Sequence, residues 1–179
     1  MIRKLSTDEL NRKSIEEFKT STKTPIVVVL DNVRSLNNIG SIFRTADAFL
    51  IEAIYLCGIC ATPPHKEIHK TALGAEDSVQ WKYFKQTQEA VSVLKDEGFT
   101  LVAVEQTTYS ISLEKFSIKL GEKYALVFGN EVKGIQQEVV DLCEKSVEIP
   151  QFGTKHSFNV SVSAGIVLWE WYKILNNCK

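Results

Sequence analysis

No stretch of this 179-residue sequence is apolar for long enough to span a bilayer. Its first residues contain no signal-peptide core, so the default expectation is a cytoplasmic protein. Basic charge is not in excess: 21 Lys and Arg against 22 Asp and Glu leave a net charge of -1. That removes any global attraction to nucleic acid, and RNA or DNA binding must come from local basic patches or from patches joined in an oligomer. Cysteine is scarce. Cys57, Cys60, Cys143 and Cys178 do not suggest a disulfide scaffold in a domain of this size. Internal repeats and low-complexity tracts are absent. Two nucleotide patterns are missing as well. Gly129 and Gly134 have the first spacing of a phosphate loop, but Ile135-Gln136 stands where Lys-Ser/Thr is needed, and no GxGxxG follows any strand.

What is present is 44% hydrophobic residues, enough for one compact domain with a sizeable core. Residues 1–24 read as a polar helical extension, with Ser6 and Glu9 as a capping box and Leu10, Ile15 and Phe18 along one face. Ser21 to Thr24 read as a linker. Residues 25–179 read as the main domain. Pro25 opens the β-branched run Ile26–Leu30, typical of a strand buried on both faces. Ile39, Ile42, Phe43, Ala46, Phe49 and Leu50 have helical spacing. Strands are expected at 53–57, 79–84, 99–104, 124–128 and 146–149, and helices at 87–95, 136–143 and 159–175. Thr62-Pro-Pro64 forbids regular structure, and a loop with a short helix is expected from there to Gly74. The alternation argues an α/β fold with a mostly parallel sheet and helices on both faces.

Four constellations carry possible chemistry. Asn38 and Arg44 lie on the helix after the first buried strand, where ligands bind in parallel sheets; alternatively, Asn38 is a helix cap and Arg44 a surface cation. Gly129-Asn-Glu131 with Gly134 is a strand-end loop that lets backbone approach a ligand, or else a tight turn with a solvated acid. Ser157 and Asn159 flank Phe158 before an apolar helix, as site residues or as its cap. Cys57, Cys60, His65 and His69 contain zinc-ligand residue types, but the spacing is far shorter than a zinc-finger linker, and no metal is expected. His156 beside Ser157 does not make a triad.

Asn38-Ile-Gly-Ser-Ile-Phe-Arg44-Thr-Ala, Leu126-Val-Phe-Gly-Asn-Glu131-Val-Lys-Gly134 and Ile149-Pro150 with Ser157-Phe-Asn159-Val-Ser-Val resemble the three motifs of the SpoU/TrmH branch of the SPOUT RNA methyltransferases. The resemblance runs from about Pro25 to the end of the chain, with the motifs in the right order and spacing. It implies an α/β domain closed by a C-terminal deep trefoil knot, and a homodimer formed through the knot and closing helix. It further implies methyl transfer from S-adenosylmethionine to a ribose 2′-hydroxyl of tRNA or rRNA. Carried over by position, Gly129, Ile149 and Phe158 hold the cofactor, largely through backbone. Leucine is common where Phe158 stands. Glu131, Ser157 and Asn159 organise the site, while Asn38 and Arg44 act on the RNA.

The family mechanism gives Arg44 the task of drawing off the hydroxyl proton. A guanidinium is effectively always protonated. Arg44 is therefore expected to stabilise the developing alkoxide, or to anchor the adjacent phosphate so that the phosphate relays the proton. Full methyl transfer by an Arg44→Lys variant would refute the need for a guanidinium fork. RNA capture is expected from clustered cations among Arg3, Lys4, Arg12, Lys13, Lys66, Lys70 and Lys82. The competing reading is a non-catalytic RNA-binding or assembly module on the same fold.

Overall fold

The computed structural model describes residues 2–6 and 8–176. Its strands are β1 (Thr24–Asp31), β2 (Ile51–Cys57), β3 (Gln80–Phe84), β4 (Phe99–Val104), β5 (Ile111–Ser112), β6 (Lys123–Phe128) and β7 (Lys145–Glu148). Its helices are α1 (Ile15–Thr20), α2 (Leu36–Ala48), α3 (Lys66–Ala72), α4 (Ala75–Ser78), α5 (Thr87–Asp96), α6 (Gln137–Val140) and α7 (Val160–Leu175). The strands form one sheet in the order β3-β2-β1-β6-β4-β7-β5, and all of the pairings are parallel. The expected α/β fold with both faces covered is what forms.

Alternation along the central strands builds two cores. Ile26, Val28 and Leu30 of β1 face one layer, which includes Ile39, Ile42 and Phe43 of α2 and Val167, Leu168 and Trp171 of α7. Val27 and Val29 face the other, with Ala90, Val91 and Leu94 of α5 and Val139 of α6. Each fully buried aliphatic side chain contributes about 1.5–3 kcal/mol relative to exposure. Ser35 caps α2, its Oγ accepting the Asn38 N–H at 3.3 Å. Gly40 lets α2 and α3 approach closely: a Cβ there would lie 2.3 Å from the Ile68 carbonyl oxygen. Register places Leu30 beside Phe128, so the carboxyl ends of β1 and β6 are neighbours at the middle of the sheet. Chain order reverses across this point, which is where open α/β sheets bind ligands.

Some expectations are corrected. The N-terminal face of Leu10, Ile15 and Phe18 is not one helix. A 3-10 turn (Asp8–Leu10) is separated from α1 by Asn11 at φ 47°, and only Phe18 of the three is buried. Ser6 and Glu9 do bond, but a full capping box sits at Ser14 and Glu17. Thr24 is the buried first residue of β1 rather than linker. The helix expected over 136–143 shrinks to α6: Gln136 becomes its N-cap, with its backbone N–H on Asp31 at 2.7 Å, and beyond the Asp141 cap the chain continues only as i to i−3 turns. Cys57 and Cys60 pack as buried thiols, the Cys60 Sγ donating to the Leu30 carbonyl at 3.3 Å. Burial pushes the Cys60 thiol up to about 11. His65 caps α3 and His69 Nδ1 lies 2.6 Å from Glu76. Cys178 lies outside the described residues.

Candidate functional site

The loop after β6 is pinched shut. Asn130 and Gly134 exchange backbone hydrogen bonds at 3.0 and 2.9 Å. The Asn130 side chain accepts from the Val132 and Lys133 N–H groups and donates to the Asn32 carbonyl at 2.7 Å. Gly129 must be glycine: a Cβ there would sit 2.2 Å from the Gly134 carbonyl carbon and the Ile135 nitrogen, both backbone. This closure projects Glu131 onto the start of α2. Its Oε2 accepts the Arg34 N–H at 3.0 Å, and its Oε1 accepts the Ser35 N–H and the Asn38 amide, each at 3.0 Å. Partial burial pushes the Glu131 carboxyl upward, but the donors from Arg34, Ser35 and Asn38 outweigh it and hold the pKa below its ordinary value.

Asn38 also receives a bond. The Asn159 Nδ2 donates to the Asn38 Oδ1 at 3.1 Å, while the Asn159 Oδ1 caps α7 by accepting the Ser161 N–H at 2.9 Å. One chain of hydrogen bonds thus runs Asn159 to Asn38 to Glu131, tying together segments 121 and 93 residues apart. Asn38 is not the cap of α2, and Asn159, not Ser157, is the cap of α7.

Beside this network lies a cleft of about 560 Å³ at the carboxyl ends of β4, β6 and β7. Gly129, Glu131, Ile149, Ser157, Phe158 and Asn159 all line it. Arg44 does not. It is exposed on α2 and lines a neighbouring surface cleft with Ser41, Thr45, Lys70 and Thr71. Of the other cations considered for RNA, Arg3 is paired with Glu9 at 2.6 Å, and Lys82 donates to the Tyr55 hydroxyl at 3.2 Å.

Sequence reasoning missed four residues. Asn130 was recoverable, since an Asx residue after a strand-end glycine signals a side-chain-stabilised turn. Glu105 and Gln106, directly after β4, line the cleft without belonging to a motif. Asp31 is fully buried at the end of β1. Its carboxylate accepts from the Thr87 hydroxyl, the Asn32 amide, the Gln136 backbone N–H and the Gln136 amide at 2.6–2.8 Å. A buried carboxylate is tolerated only with such partners.

Comparison with known proteins gives this geometry its context. The sequence is 29% identical over 165 residues to the tRNA (guanosine(18)-2′-O)-methyltransferase of Aquifex aeolicus, covering 90% of this chain and 75% of that protein. It is 30% identical over 149 residues to the 23S rRNA (guanosine-2′-O-)-methyltransferase RlmB of Neisseria meningitidis, covering 83% of this chain but only 58% of the relative. Among solved structures, the TrmH/SpoU tRNA modifying enzyme of A. aeolicus superposes with a TM-score of 0.80 at 26% identity, covering 91% of this chain and 81% of that one. An AdoMet-bound rRNA methyltransferase from Sinorhizobium meliloti gives 0.78 at 26% identity, covering 86% and 61%. The family model of the SpoU rRNA Methylase family matches residues 25–169, the stretch that contains the strand-end loops, the Asn38–Glu131–Asn159 network and the first part of α7. The chain belongs to the SpoU rRNA Methylase family.

Proposed function

We propose that this protein transfers a methyl group from S-adenosylmethionine to a ribose 2′-hydroxyl of tRNA or rRNA, the two RNA classes named in its relatives. The observation that carries this reading is the hydrogen-bonded chain from Asn159 through Asn38 to Glu131 beside the strand-end cleft. The cleft fits the cofactor. Its volume is in the range of small-molecule sites, and it combines loop backbone with the apolar Val104, Ile149 and Phe158 and the carboxylate of Glu105. Gly129, Ile149 and Phe158 would hold it. S-adenosylmethionine, when bound, supplies a methyl carbon made electrophilic by the sulfonium. The chain's task is to align the sugar oxygen, and alignment alone lowers such barriers by several kcal/mol. Glu131 and Asn159 fix Asn38 and the α2 start against the cleft, and Ser157 completes its wall. Arg44 lies outside the cleft of its own protomer, so its role is to anchor the RNA phosphate next to the reacting sugar or to meet that sugar across a dimer.

The working form in this reading is a cytoplasmic homodimer. Support comes from α7, which exposes Val162 and Trp169 seven residues apart, with Trp169 packed on Phe49 at 5.6 Å and on Tyr172 at 6.2 Å. Among the described residues no helix is long and apolar enough to cross a membrane. Residues 25–179 form the methyltransferase unit, with 1–24 as an appended segment. The stretch before α7 is threaded as the deep trefoil knot of the family. Its hydrogen bond from Gln106 and its return onto α2 support that path.

The test has two arms. Calorimetry with S-adenosylmethionine, with and without tRNA or rRNA, is expected to give binding. Mass spectrometry of ribose-methylated nucleosides from cells with and without the gene is expected to lose one modification. Absence of binding under both conditions would favour the non-catalytic RNA-binding module.

A further inference from the structure

The carboxyl end of β4 is the part of the cleft that the three motifs leave unassigned. Glu105 and Gln106 follow the strand directly and both line the cleft. The Glu105 Oε2 accepts the Ile135 N–H at 3.1 Å, and Oε1 accepts the Gln106 N–H at 3.0 Å. The carboxylate lies directly against the Gly134–Ile135 link: a Cβ on Gly134 would come within 2.4 Å of Oε2. Gln106 reaches the opposite way. Its Nε2 donates to the His156 carbonyl at 2.9 Å, the one side-chain bond that enters residues 151–158 from outside among the described residues. The base is fixed to β7, since the Glu105 N–H donates to the Val147 carbonyl at 3.0 Å and the Ser146 hydroxyl donates to the Glu105 carbonyl at 2.9 Å. Two consecutive residues on one anchored strand end therefore hold both loops that wall the cleft.

We propose that Glu105 and Gln106 are positioning residues that act as a two-pronged clamp, setting the spacing of the 129–135 loop and the 150–158 loop and thereby the affinity for S-adenosylmethionine. The inference rests on the cofactor reading above. Its physical basis is preorganisation: a loop already held in its binding geometry need not be ordered at the moment of binding, and that saving appears as affinity. The Glu105 prong is charge-assisted and is the stronger of the two. The Gln106 prong is a neutral amide-to-carbonyl bond on a solvent-exposed side chain.

The test uses the full chain with Gln106→Ala, Glu105→Ala and Glu105→Gln. S-adenosylmethionine and S-adenosylhomocysteine are titrated by calorimetry. Cofactor-free protein is also digested briefly with trypsin, following cleavage after the exposed Lys155. Gln106→Ala is expected to raise the Kd about fivefold and to speed Lys155 cleavage by a similar factor. Glu105→Ala is expected to raise the Kd about tenfold or more, and Glu105→Gln, whose single amide oxygen still accepts from the Ile135 N–H but leaves the Gln106 N–H without its acceptor, to recover part of that loss. In turnover assays KM for the cofactor rises more than kcat falls, a split that general destabilisation does not give. Unchanged Kd and unchanged cleavage in folded Gln106→Ala would overturn the clamp. So would a Glu105→Gln variant as weak as Glu105→Ala, because the charge and not the held loop would then be what binds. If Glu105→Ala fails to fold, Gln106→Ala carries the test alone. If the wild type does not bind S-adenosylmethionine, the functional proposal fails, while the cleavage arm still reads the clamp.

Discussion

Two segments border the cleft, and they are held in opposite ways. Residues 129–136 are tied from several sides: by Glu105 from β4, by Asp31 from β1, by the Asn32 carbonyl, and through Glu131 to the head of α2. Residues 152–158 are all exposed and receive one side-chain bond from outside, at His156. Phe152 projects almost fully into solvent. In the proposed function this difference would divide the labour. Reacting groups need a fixed frame, because small errors in alignment cost rate steeply. A segment that must admit and release a cofactor is drawn from the weakly held part of a fold.

The contrast can be broken at its firmest point by Gly129→Ala. The new methyl has only backbone to displace, so a loss of about 3 kcal/mol in denaturant unfolding is expected, together with loss of measurable cofactor binding. Asp31→Ala comes next. It leaves the buried Thr87 hydroxyl and the part-buried Gln136 donors without their acceptor, and a loss of about 2–3 kcal/mol is expected by the same measurement. Glu131→Gln keeps the shape but weakens three bonds. Turnover is expected to fall about tenfold or more, with a smaller change in cofactor Kd. It also carries a pH signature. The Glu131 pKa is lowered by folding, so its stabilisation is fully present above the ordinary value of 4.5 and fades as pH falls through the folded value. Unfolding midpoints of wild type and Glu131→Gln should therefore converge below that pH. The smallest effect is expected at the loose segment, where Phe152→Ala should alter stability by less than about 0.5 kcal/mol. A large loss there would dissolve the contrast.

The same division explains what could be read from the chain. The parallel sheet was legible because β-branched runs and helical spacings alternate, whereas Asn38, Glu131 and Asn159, each open to a bland local reading, stood out as candidates only through the three motifs they share with the family. Their mutual bonds were not legible, since no local rule joins residues about a hundred positions apart. Asp31 is the clearest case. It is one acid at a strand end, with partners 56 and 105 residues away. Glu105 and Gln106 likewise gain meaning only when β4 comes to lie beside β6 and β7. The start of α6 has the same origin, since the bond from Gln136 to Asp31 makes Gln136 its N-cap. At the N-terminus the face of Leu10, Ile15 and Phe18 had helical spacing, yet only Phe18 found an apolar surface to cover.

The position of β6 has a consequence for how the molecule is made. The strand inserts between β1 and β4 at the centre of the sheet, although it is the sixth in order of synthesis. Until Lys123–Phe128 has left the ribosome, β1 carries a free edge of unpaired backbone flanked by Ile26–Leu30. Such an edge is open to pairing with other chains, and parallel pairing across about a hundred residues is slow. The nascent chain is therefore most vulnerable to aggregation midway through translation, and a chaperone that shields β1 during that interval would raise the yield of native protein.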